Sequence, residues 1–426
     1  MNALLLDFAY ACGLTAGSPY FLFKMLATGK YREGLGQRLG FVEAARRDGC
    51  IWLHGVSVGE VLAARTIVAD LQKAFPDRDI VISTTPSTGQ AIAKRTYRDR
   101  KVFYFPLDFS RAVARTFRRI KPGIVVLMEM EIWPNFLARA VALGVPVVVA
   151  NGRITEKGAK GYRRLGSLAK GFLSGVDVYL MQTGRYAERL ESLGVPPEKI
   201  RVAGNVKFDT LSTDVDAKRA LLIREQMGVK RDEKLVIGGS THAGEEDALL
   251  DAYARLRQSD GKVRLLIVPR HDTRFNEVAG LIESRGYKVR RRSLAGRREE
   301  PTGAEVILGD TMGELEWLYE AADAAFVGGS LIPHGGQNMM EPAAKGKPVV
   351  FGPHVDNFPD ASEMLLAAGA ATQIADGSRL ADALAACIAT PQGAAAGRAG
   401  REAVAKAKGA TAKTVDYIAE ILGRSN

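Results

Sequence analysis

Short apolar runs recur along the chain, and each is followed by a polar turn and then a helical stretch. They predict strands at 51–55, 79–84, 102–105, 122–128, 145–150 and 176–182 in the first half, and at 235–239, 265–268, 306–308, 321–327 and 349–351 in the second. Continuous apolar runs are typical of strands buried on both faces of a parallel sheet. In each half the second strand begins roughly thirty residues after the first, the length of one βαβ unit. The pattern therefore predicts an α/β protein with two doubly wound domains that face a central cleft.

The segment 328–342 lies between a predicted strand and the next helix. Two glycine pairs precede Asn338, a predicted helix N-cap, with Glu341 and Pro342 in the first turn. Free backbone N–H groups and the helix dipole would make this crossing an anion site, and Glu341 would accept hydroxyl groups in the same crevice. The alternative is a glycine-rich turn with an ordinary capping box.

Glu60 stands at the predicted start of a helix, shortly after the strand 51–55. The helix dipole stabilises a carboxylate at this position. Two roles fit, a helix cap or a general base over a crevice. Spacing alone does not separate them.

The strand 122–128 runs into two carboxylates, Glu129 and Glu131. They share one face if the strand continues. A carboxylate at the end of a buried strand is costly unless it is paired or used. The pattern therefore indicates either a buried ion pair or a catalytic or substrate-orienting role.

Cationic and imidazole side chains also follow the predicted strands. Arg270 and His271 come at the carboxyl end of the strand 265–268, where doubly wound folds can bind phosphate. The other histidines likewise follow or end apolar runs, namely His54, His242, His334 and His354.

The amino-acid composition indicates the kind of partner that the protein binds and the redox state of its compartment. The 426 residues carry a formal net charge of +11, with a pI near 9.5. That balance favours an anionic partner, such as nucleic acid, an acidic membrane face or a phosphorylated substrate. The cysteines, at 12, 50 and 387, show neither metal-ligand spacing nor a disulfide framework, which favours a reducing compartment.

Residues 1–28 form a largely apolar segment interrupted by Asp7, Pro19 and Lys24. A spanning helix needs about twenty unbroken apolar residues, and this segment falls short. The favoured prediction is a helix on the membrane face, with the basic segment Lys30-Tyr31-Arg32 beside anionic head groups. A core helix that covers an apolar groove is an almost equal alternative.

The absence of several nucleotide-binding motifs argues against kinases and metal-dependent glycosyltransferases. There is no Walker loop, no Gly-x-Gly-x-x-Gly follows the first strand, and no Asp-x-Asp pair is placed as a metal clamp for a pyrophosphate. Over nearly its full length the chain resembles the Kdo (3-deoxy-D-manno-octulosonic acid) transferases of lipopolysaccharide assembly. The resemblance rests on IWLHGVSVGE (51–60), MEMEIWPN (128–135), GNVKFD (204–209), VPRH (268–271), GDTMGEL (309–315) and GGSLIPHGGQNMMEP (328–342).

This resemblance implies a GT-B fold and a reaction. Kdo would pass from CMP-Kdo to a lipid A precursor, lipid IVA, at the cytoplasmic face of the bacterial inner membrane. Glu60 would be the general base for one inverting displacement, and Glu129 would orient the donor or the acceptor. Arg270 and Lys207 would meet phosphate or the Kdo carboxylate, without a metal ion or cofactor.

The remaining candidate residues follow from the same resemblance. CMP-Kdo would also contact Ser240, His242, His271, Met312, Gly313, Gly336, Asn338 and Glu341. The acceptor would contact Ser57, Gly59, Arg153 and Lys157. Many relatives have His where this chain has Gln337, and Gln cannot become charged, so a role for that His is not expected to carry over.

The domain boundaries follow from the predicted elements together with this resemblance. We expect a membrane-associated segment at 1–28, an acceptor domain at 29–210 and a CMP-Kdo domain at 218–410. The C-terminal segment, from Ala361 to the end, is predicted to be helical, and its last helix, 411–426, is a candidate to pack back on the N-terminal domain.

Two rival functions stay open on the sequence. A GT-B transferase or epimerase that uses a UDP-sugar would share the fold, and nucleotide competition would distinguish it. A nucleic-acid-binding protein would suit the charge, but the chain lacks basic motifs interleaved with aromatic residues.

Overall fold

The computed structural model describes residues 5–13, 15, 33–295, 306–388 and 390–424. The chain divides into two compact units. Unit 1 comprises Met1–Thr210 and Lys408–Asn426, and unit 2 comprises Leu211–Ala407. Most of the predicted segment 1–28 lies outside the described residues. No helix of the described part of the chain is long and apolar enough to cross a lipid bilayer.

Unit 1 is built on one parallel sheet. Its strands are β1 Cys50–His54, β2 Ile80–Thr84, β3 Val102–Tyr104, β4 Pro122–Met128, β5 Val147–Gly152, β6 Val178–Met181 and β7 Ile200–Val202. Their order in the sheet is β3-β2-β1-β4-β5-β6-β7. The α-helices are Leu35–Arg38, Val58–Ala74, Ser87–Thr96, Ser110–Ile120, Pro134–Ala142, Glu156–Leu165, Ser167–Leu173, Gly184–Glu191, Val206–Asp209 and Ala410–Arg424.

Alternate residues of the central strands pack into hydrophobic clusters on the two faces of this sheet. Val125 and Leu127 of β4 join one cluster, whereas Ile124 and Val126 join the other. The helix Ala410–Arg424 contributes Ile418 and Leu422 to the second cluster, where it packs against the helix Val58–Ala74. Both faces are therefore covered, as the continuous apolar runs require.

Unit 2 repeats the plan with a second parallel sheet. Its strands are β8 Lys234–Thr241, β9 Val263–Pro269, β10 Val289–Arg291, β11 Val306–Leu308, β12 Ala324–Val327, β13 Val349–Phe351 and β14 Ala371–Gln373. Their order is β10-β11-β9-β8-β12-β13-β14. The α-helices are Ala217–Gln226, Glu245–Ser259, Phe275–Ser284, Leu315–Ala321, Met340–Ala344, Pro359–Ala367, Leu380–Ile388 and Pro391–Ala407.

These two parallel sheets confirm the predicted α/β fold class. One prediction is wrong, because β14 interrupts the C-terminal segment from Ala361 that was expected to be helical. This strand is short and largely exposed at the sheet edge, so it lacks the apolar run that predicted the central strands. The edge strands β7 and β10 are equally short and were not predicted either.

Candidate functional site

In unit 1, two candidate carboxylates flank the point where the strand order reverses. β1 and β4 are neighbours, but the strands that follow them extend to opposite sides of the sheet. Glu60 lies in the first turn of the helix after β1, and Glu129 follows β4 directly. Ligands of doubly wound sheets bind at the carboxyl edge of such a reversal. The position of both residues therefore suits a substrate site.

Glu60 forms a capping box with Ser57. Its two oxygens accept the backbone N–H groups of Val56 at 2.9 Å and Ser57 at 3.1 Å, and the Ser57 hydroxyl accepts the Glu60 N–H at 3.2 Å. An ionised carboxylate has about four lone-pair sites, so an acceptor hydroxyl could still donate to Glu60. Ser57 and Gly59, both predicted to contact the acceptor, are exposed in this same turn.

The backbone at Glu129 does not continue the extended conformation of β4. Its φ of 57° lies in the left-handed region, directly after β4 ends at Met128. The prediction that Glu129 and Glu131 share a strand face is therefore wrong, because the chain turns at this residue. Burial raises the pKa of Glu129. The charge of Lys207, whose Nζ lies 3.5 Å from Oε1, lowers this pKa, and so does that of Arg153.

Glu131 is a third member of this carboxylate group, and the resemblance gave it no role. Burial raises its pKa to about 7, and the negative charges of Glu60 and Glu129 act in the same direction. The indole Nε1 of Trp133 donates to Glu131 Oε2 at 3.1 Å. Its spacing from Glu129 was the only sequence signal for it. We call Glu60, Glu129 and Glu131 the carboxylate cluster.

Lys207 reaches the carboxylate cluster because its segment is held at the ends of β5 and β6. Asn205 Oδ1 accepts the Lys207 N–H at 3.0 Å, and Asn205 Nδ2 donates to Gln182 Oε1 at 3.2 Å. Asn151 Oδ1 accepts the Val206 N–H at 3.1 Å, with Asn151 at a left-handed φ of 55°. These amides fix the turn that presents the cation.

The two cationic residues predicted to contact the acceptor substrate, Arg153 and Lys157, lie in different surroundings. Arg153 is half-buried beyond β5, and its buried Nε has no hydrogen-bond partner among the described residues. Its charge lowers the pKa of Glu129. Lys157 is exposed in the first turn of the helix Glu156–Leu165. Arg153 therefore acts on the carboxylate cluster, whereas Lys157 belongs to the surface of the unit.

In unit 2 the strand order reverses between β8 and β12, and three histidine rings cluster at that edge. His242 stacks on His334 at 4.5 Å between ring centroids and meets His271 edge-on at 5.6 Å. Burial, together with the charges of its histidine and arginine neighbours, lowers the pKa of His242 to about 4. The Gln337 amide nitrogen lies 3.2 Å from His242 Nε2, so a neutral His242 can accept its hydrogen bond.

The predicted anion site in 328–342 already holds a carboxylate of the protein. Glu245, which is fully buried, accepts the backbone N–H groups of Gly329 at 2.6 Å, Ser330 at 3.0 Å and Leu331 at 3.0 Å. It also accepts the His242 N–H at 3.0 Å. The expectation of free N–H groups is therefore wrong for this part of the turn. The local sequence signal for Glu245 was its similarity in position to Glu60, after the first strand of its unit.

The helix that follows this turn begins later than predicted. It spans Met340–Ala344, and its N-cap residue is Met339 rather than Asn338. Asn338 Oδ1 instead accepts the Met340 N–H at 3.2 Å, and Asn338 Nδ2 donates to Glu341 Oε1 at 3.0 Å. Burial raises the pKa of Glu341, whereas the Asn338 hydrogen bond and the charge of Arg270 lower it.

The other predicted donor residues lie in turns at the ends of unit 2 strands. Ser240, the second-last residue of β8, has a left-handed φ of 53°, and Arg270 is exposed directly after β9. Met312 is 60% exposed beside Gly313. Gly336 has a φ of 78° and donates its N–H to Gly329 O at 2.7 Å, and a Cβ there would lie 3.1 Å from His354 O. Glycine is therefore required at 336 by the backbone conformation and by the close approach of the 354 carbonyl.

Solved structures share this architecture. A glycosyltransferase from Rickettsia africae aligns with a TM-score of 0.59 and 15% identity, over 88% of this chain and 99% of its own. The UDP-GlcNAc 2-epimerase from Neisseria meningitidis aligns with a TM-score of 0.57 and 13% identity, over 88% and 99%. Likeness at these identities defines the fold, and the protein has the GT-B fold of glycosyltransferases.

Sequence comparison then gives the family. The family profile described as 3-deoxy-D-manno-octulosonic-acid transferase (kdotransferase) matches residues 33–210. The 3-deoxy-D-manno-octulosonic acid transferase of Haemophilus influenzae is 36% identical over 348 residues, which cover 79% of each chain. The chain belongs to the Kdo transferase family, which confirms the resemblance seen in its motifs.

Proposed function

We propose that this Kdo transferase moves Kdo from CMP-Kdo to lipid IVA, the tetra-acylated and bisphosphorylated lipid A precursor, in lipopolysaccharide biosynthesis. The observation that carries the proposal is the carboxylate cluster at the strand reversal of unit 1, with Lys207 at 3.5 Å from Glu129. A sugar hydroxyl needs a base when it attacks, and a phosphorylated acceptor needs cations. This edge of unit 1 offers both kinds of group.

Glu60 takes the proton of the acceptor hydroxyl in this proposal. The acceptor oxygen then bonds to the anomeric carbon of Kdo, while the bond from that carbon to the CMP phosphate oxygen breaks. CMP leaves with the electron pair, and one direct displacement inverts the anomeric centre. The charges of Lys207 and Arg153 oppose the burial that raises the pKa of Glu129. Glu129 orients the substrate through hydrogen bonds to its hydroxyl groups.

Unit 2 handles the donor in the same proposal. Arg270 is an exposed cation at the end of β9 and can meet the charge that develops on CMP, without a metal ion. Glu341 suits the ribose hydroxyls because its carboxylate is held by Asn338 at 3.0 Å. Neutral His242 can form a hydrogen bond with CMP-Kdo without adding a positive charge to the site.

We also propose that the enzyme works at the cytoplasmic face of the inner membrane. In the described part of the N-terminal segment, Leu5 is 64% exposed and Phe8 is 69% exposed. These apolar side chains and the net charge of +11 suit a surface of anionic lipids. Sedimentation with anionic and with neutral lipid vesicles tests this part, and equal recovery in both supernatants would contradict it.

The decisive experiment is Kdo transfer to lipid IVA with CMP-Kdo generated in situ, after the divalent metal of the generating step has been chelated. Wild type and Glu60→Gln are compared, with the exposed Glu188→Gln as a matched control. We expect product from wild type and from the control but not from Glu60→Gln.

Each other outcome removes a defined part of the proposal. Equal product from all three proteins would exclude Glu60 as the base and move that role to Glu129. No product without metal, but product after its return, would exclude the metal-independent mechanism. Competition by UDP but not by CMP would replace the donor by a UDP-sugar.

A further inference from the structure

Two helices of unit 1 begin without a capping side chain of their own. Phe109 is the N-cap residue of the helix Ser110–Ile120, and Trp133 is that of the helix Pro134–Ala142. Neither residue offers a side-chain acceptor. The first N–H groups of a helix have no partner within it, so acceptors must come from elsewhere in the chain.

Asp7 supplies the acceptor for the first of these helices. Its Oδ1 accepts the Ser110 N–H at 2.8 Å, and its Oδ2 accepts the Ser110 hydroxyl. Asp7 lies in a helical stretch, residues 5–13, and is separated from Ser110 by 103 positions. Oδ1 also accepts the Asn135 side-chain amide at 3.0 Å, so the same carboxylate reaches the second helix.

Asp108 supplies the acceptor for the second helix and is itself held by the N-terminal helix. Its oxygens accept the N–H groups of Asn135 at 3.0 Å and Phe136 at 2.8 Å. The Tyr10 hydroxyl donates to Asp108 Oδ2 at 3.0 Å. Asp7 and Tyr10 are three residues apart and therefore lie on one face of their helix. That polar face holds the starts of both unit 1 helices.

The second helix start is also the end of the loop that carries the carboxylate cluster. We call residues 129–135 the carboxylate loop. It leaves β4 at Glu129, and Trp133 within it donates to Glu131 at 3.1 Å. Asn135, 3% exposed, closes the loop through its bonds to Asp7 and Asp108. The position of Trp133, and with it that of Glu131, therefore depends on these caps.

We propose that Asp7, assisted by Tyr10, is a positioning residue for Kdo transfer: the N-terminal helix fixes the carboxylate loop, whatever part it also has in membrane attachment. Asp7 does not touch the reacting atoms in this arrangement. It acts through Asn135 and Asp108 on the loop. Two measurements test this role. The rate of Kdo transfer to lipid IVA depends on the proposed function, whereas amide hydrogen exchange in the carboxylate loop does not.

The test uses the full chain in detergent solution, with lipid IVA in micelles so that attachment to a bilayer does not limit the rate. Asp7→Ala, Asp7→Asn and Tyr10→Phe are compared with wild type, and Cys12→Ser is the control because Cys12 is exposed on the same helix. Hydrogen exchange is followed in the carboxylate loop and at Phe136. We expect about tenfold faster exchange there in Asp7→Ala, because the loop loses a half-buried hydrogen-bond partner.

The same variant should have about tenfold lower kcat with an unchanged KM for CMP-Kdo, because loop geometry and not donor binding is altered. Asp7→Asn keeps an acceptor oxygen and should recover most of the loss. Wild-type exchange in the carboxylate loop of folded Asp7→Ala would overturn the proposal. So would a defect seen only with vesicle-bound acceptor. Failure of wild type to transfer Kdo would defeat the proposed function instead, and the exchange result would still decide the role of Asp7.

Discussion

The carboxylate of Glu245 accepts the backbone N–H of Gly329 at 2.6 Å and thereby joins the turn after β8 to the turn after β12. Ser330 and Leu331 donate to the same carboxylate. The glycine-rich turn is thus shaped around an internal anion, before any ligand is considered. Asn338 and Glu341, which we assign to the donor, follow in this turn and in the helix after it. Their placement depends on a residue at the start of another helix.

Glu245→Gln is expected to weaken both unit 2 and its binding of CMP. The new amide group would face backbone N–H donors with its own N–H₂, and buried donors without a partner cost about 1–3 kcal/mol. Urea unfolding should show a loss of that size, and titration calorimetry should show weaker CMP binding.

Glu246→Gln is the matched control for this variant. Glu246 is also fully buried but pairs with Arg274 at 2.6 Å and with the Thr241 hydroxyl at 2.8 Å instead of the glycine-rich turn. We expect it to lower stability while the folded protein retains its affinity for CMP. Wild-type CMP affinity in Glu245→Gln would show that the turn does not need its internal anion.

Glu131 should give an ionisation near pH 7 in the acceptor kcat/KM. Burial raises its pKa to about 7, aided by the charges of Glu60 and Glu129. Below that pH Glu131 is neutral, and above it the negative charge of Glu131 favours proton transfer from the acceptor hydroxyl to the carboxylate cluster. We therefore expect kcat/KM to rise through pH 7 in wild type and Glu131→Gln to lose this inflection. An unchanged profile in Glu131→Gln would assign the ionisation to another group.

His242 should make the stability of the protein fall as the solution becomes more acidic. Its folded pKa is about 4, below the ordinary value of 6.5, because burial disfavours the charged ring. The stability from neutral His242 is therefore fully present above pH 6.5 and is lost as the pH falls toward 4. The contribution of His242 to the free energy of unfolding should fall by about 2 kcal/mol between pH 7 and pH 5.

The measurement for His242 is the free energy of unfolding of wild type and of His242→Gln at several pH values. The carboxylates of the protein titrate in both proteins, so the difference between the curves isolates the ring. Wild type should lose stability relative to the variant as the pH falls. Parallel curves would show that His242 can be protonated in the folded state at no cost.

The sequence placed Glu60, Glu129 and His242 at strand ends because an apolar run followed by a polar turn is a local signal. It could not give the partners of Glu245 or Asp7, which lie 84 to 86 and 103 positions away in Gly329–Leu331 and Ser110. Such pairs are chosen by the packing of whole elements, and no spacing rule encodes them. Free backbone N–H groups in a glycine-rich turn therefore cannot be inferred from sequence alone, because a distant carboxylate can occupy them.

Local backbone geometry explains why two other predictions, for the strand after Met128 and for the helix N-cap at Asn338, were wrong. Extrapolating β4 through Glu129 and Glu131 assumed extended backbone, whereas Glu129 adopts a φ of 57°. Left-handed backbone at a residue other than glycine is uncommon and is favoured by no feature of the Glu side chain. The prediction for Asn338 failed by one position for a related reason, because its side chain bonds Met340 and Glu341 without occupying the N-cap itself.

Asp209, at the end of the motif GNVKFD, is expected to hold the C-terminal helix onto unit 1. Its two oxygens accept the N–H groups of Gly409 at 2.6 Å and Thr411 at 2.5 Å, so it caps the helix Ala410–Arg424 from a distant part of the chain. Loss of a helix cap costs about 1 kcal/mol, and up to about 2 kcal/mol in some proteins. Asp209→Ala should lower the free energy of unfolding by that amount.

The effect of Asp209→Ala should be local as well as global. Hydrogen exchange should accelerate across 410–424 and change little in β8–β13, because the cap acts on one helix of unit 1. Asp416→Ala, an exposed position of the same helix, is the control and should exchange as wild type does. Ile418 and Leu422 remain buried in the core of unit 1 in both variants, so the helix should loosen from its start without detaching. Uniform acceleration over both units in Asp209→Ala would instead mean that Asp209 supports the whole fold, and the capping role would have to be abandoned.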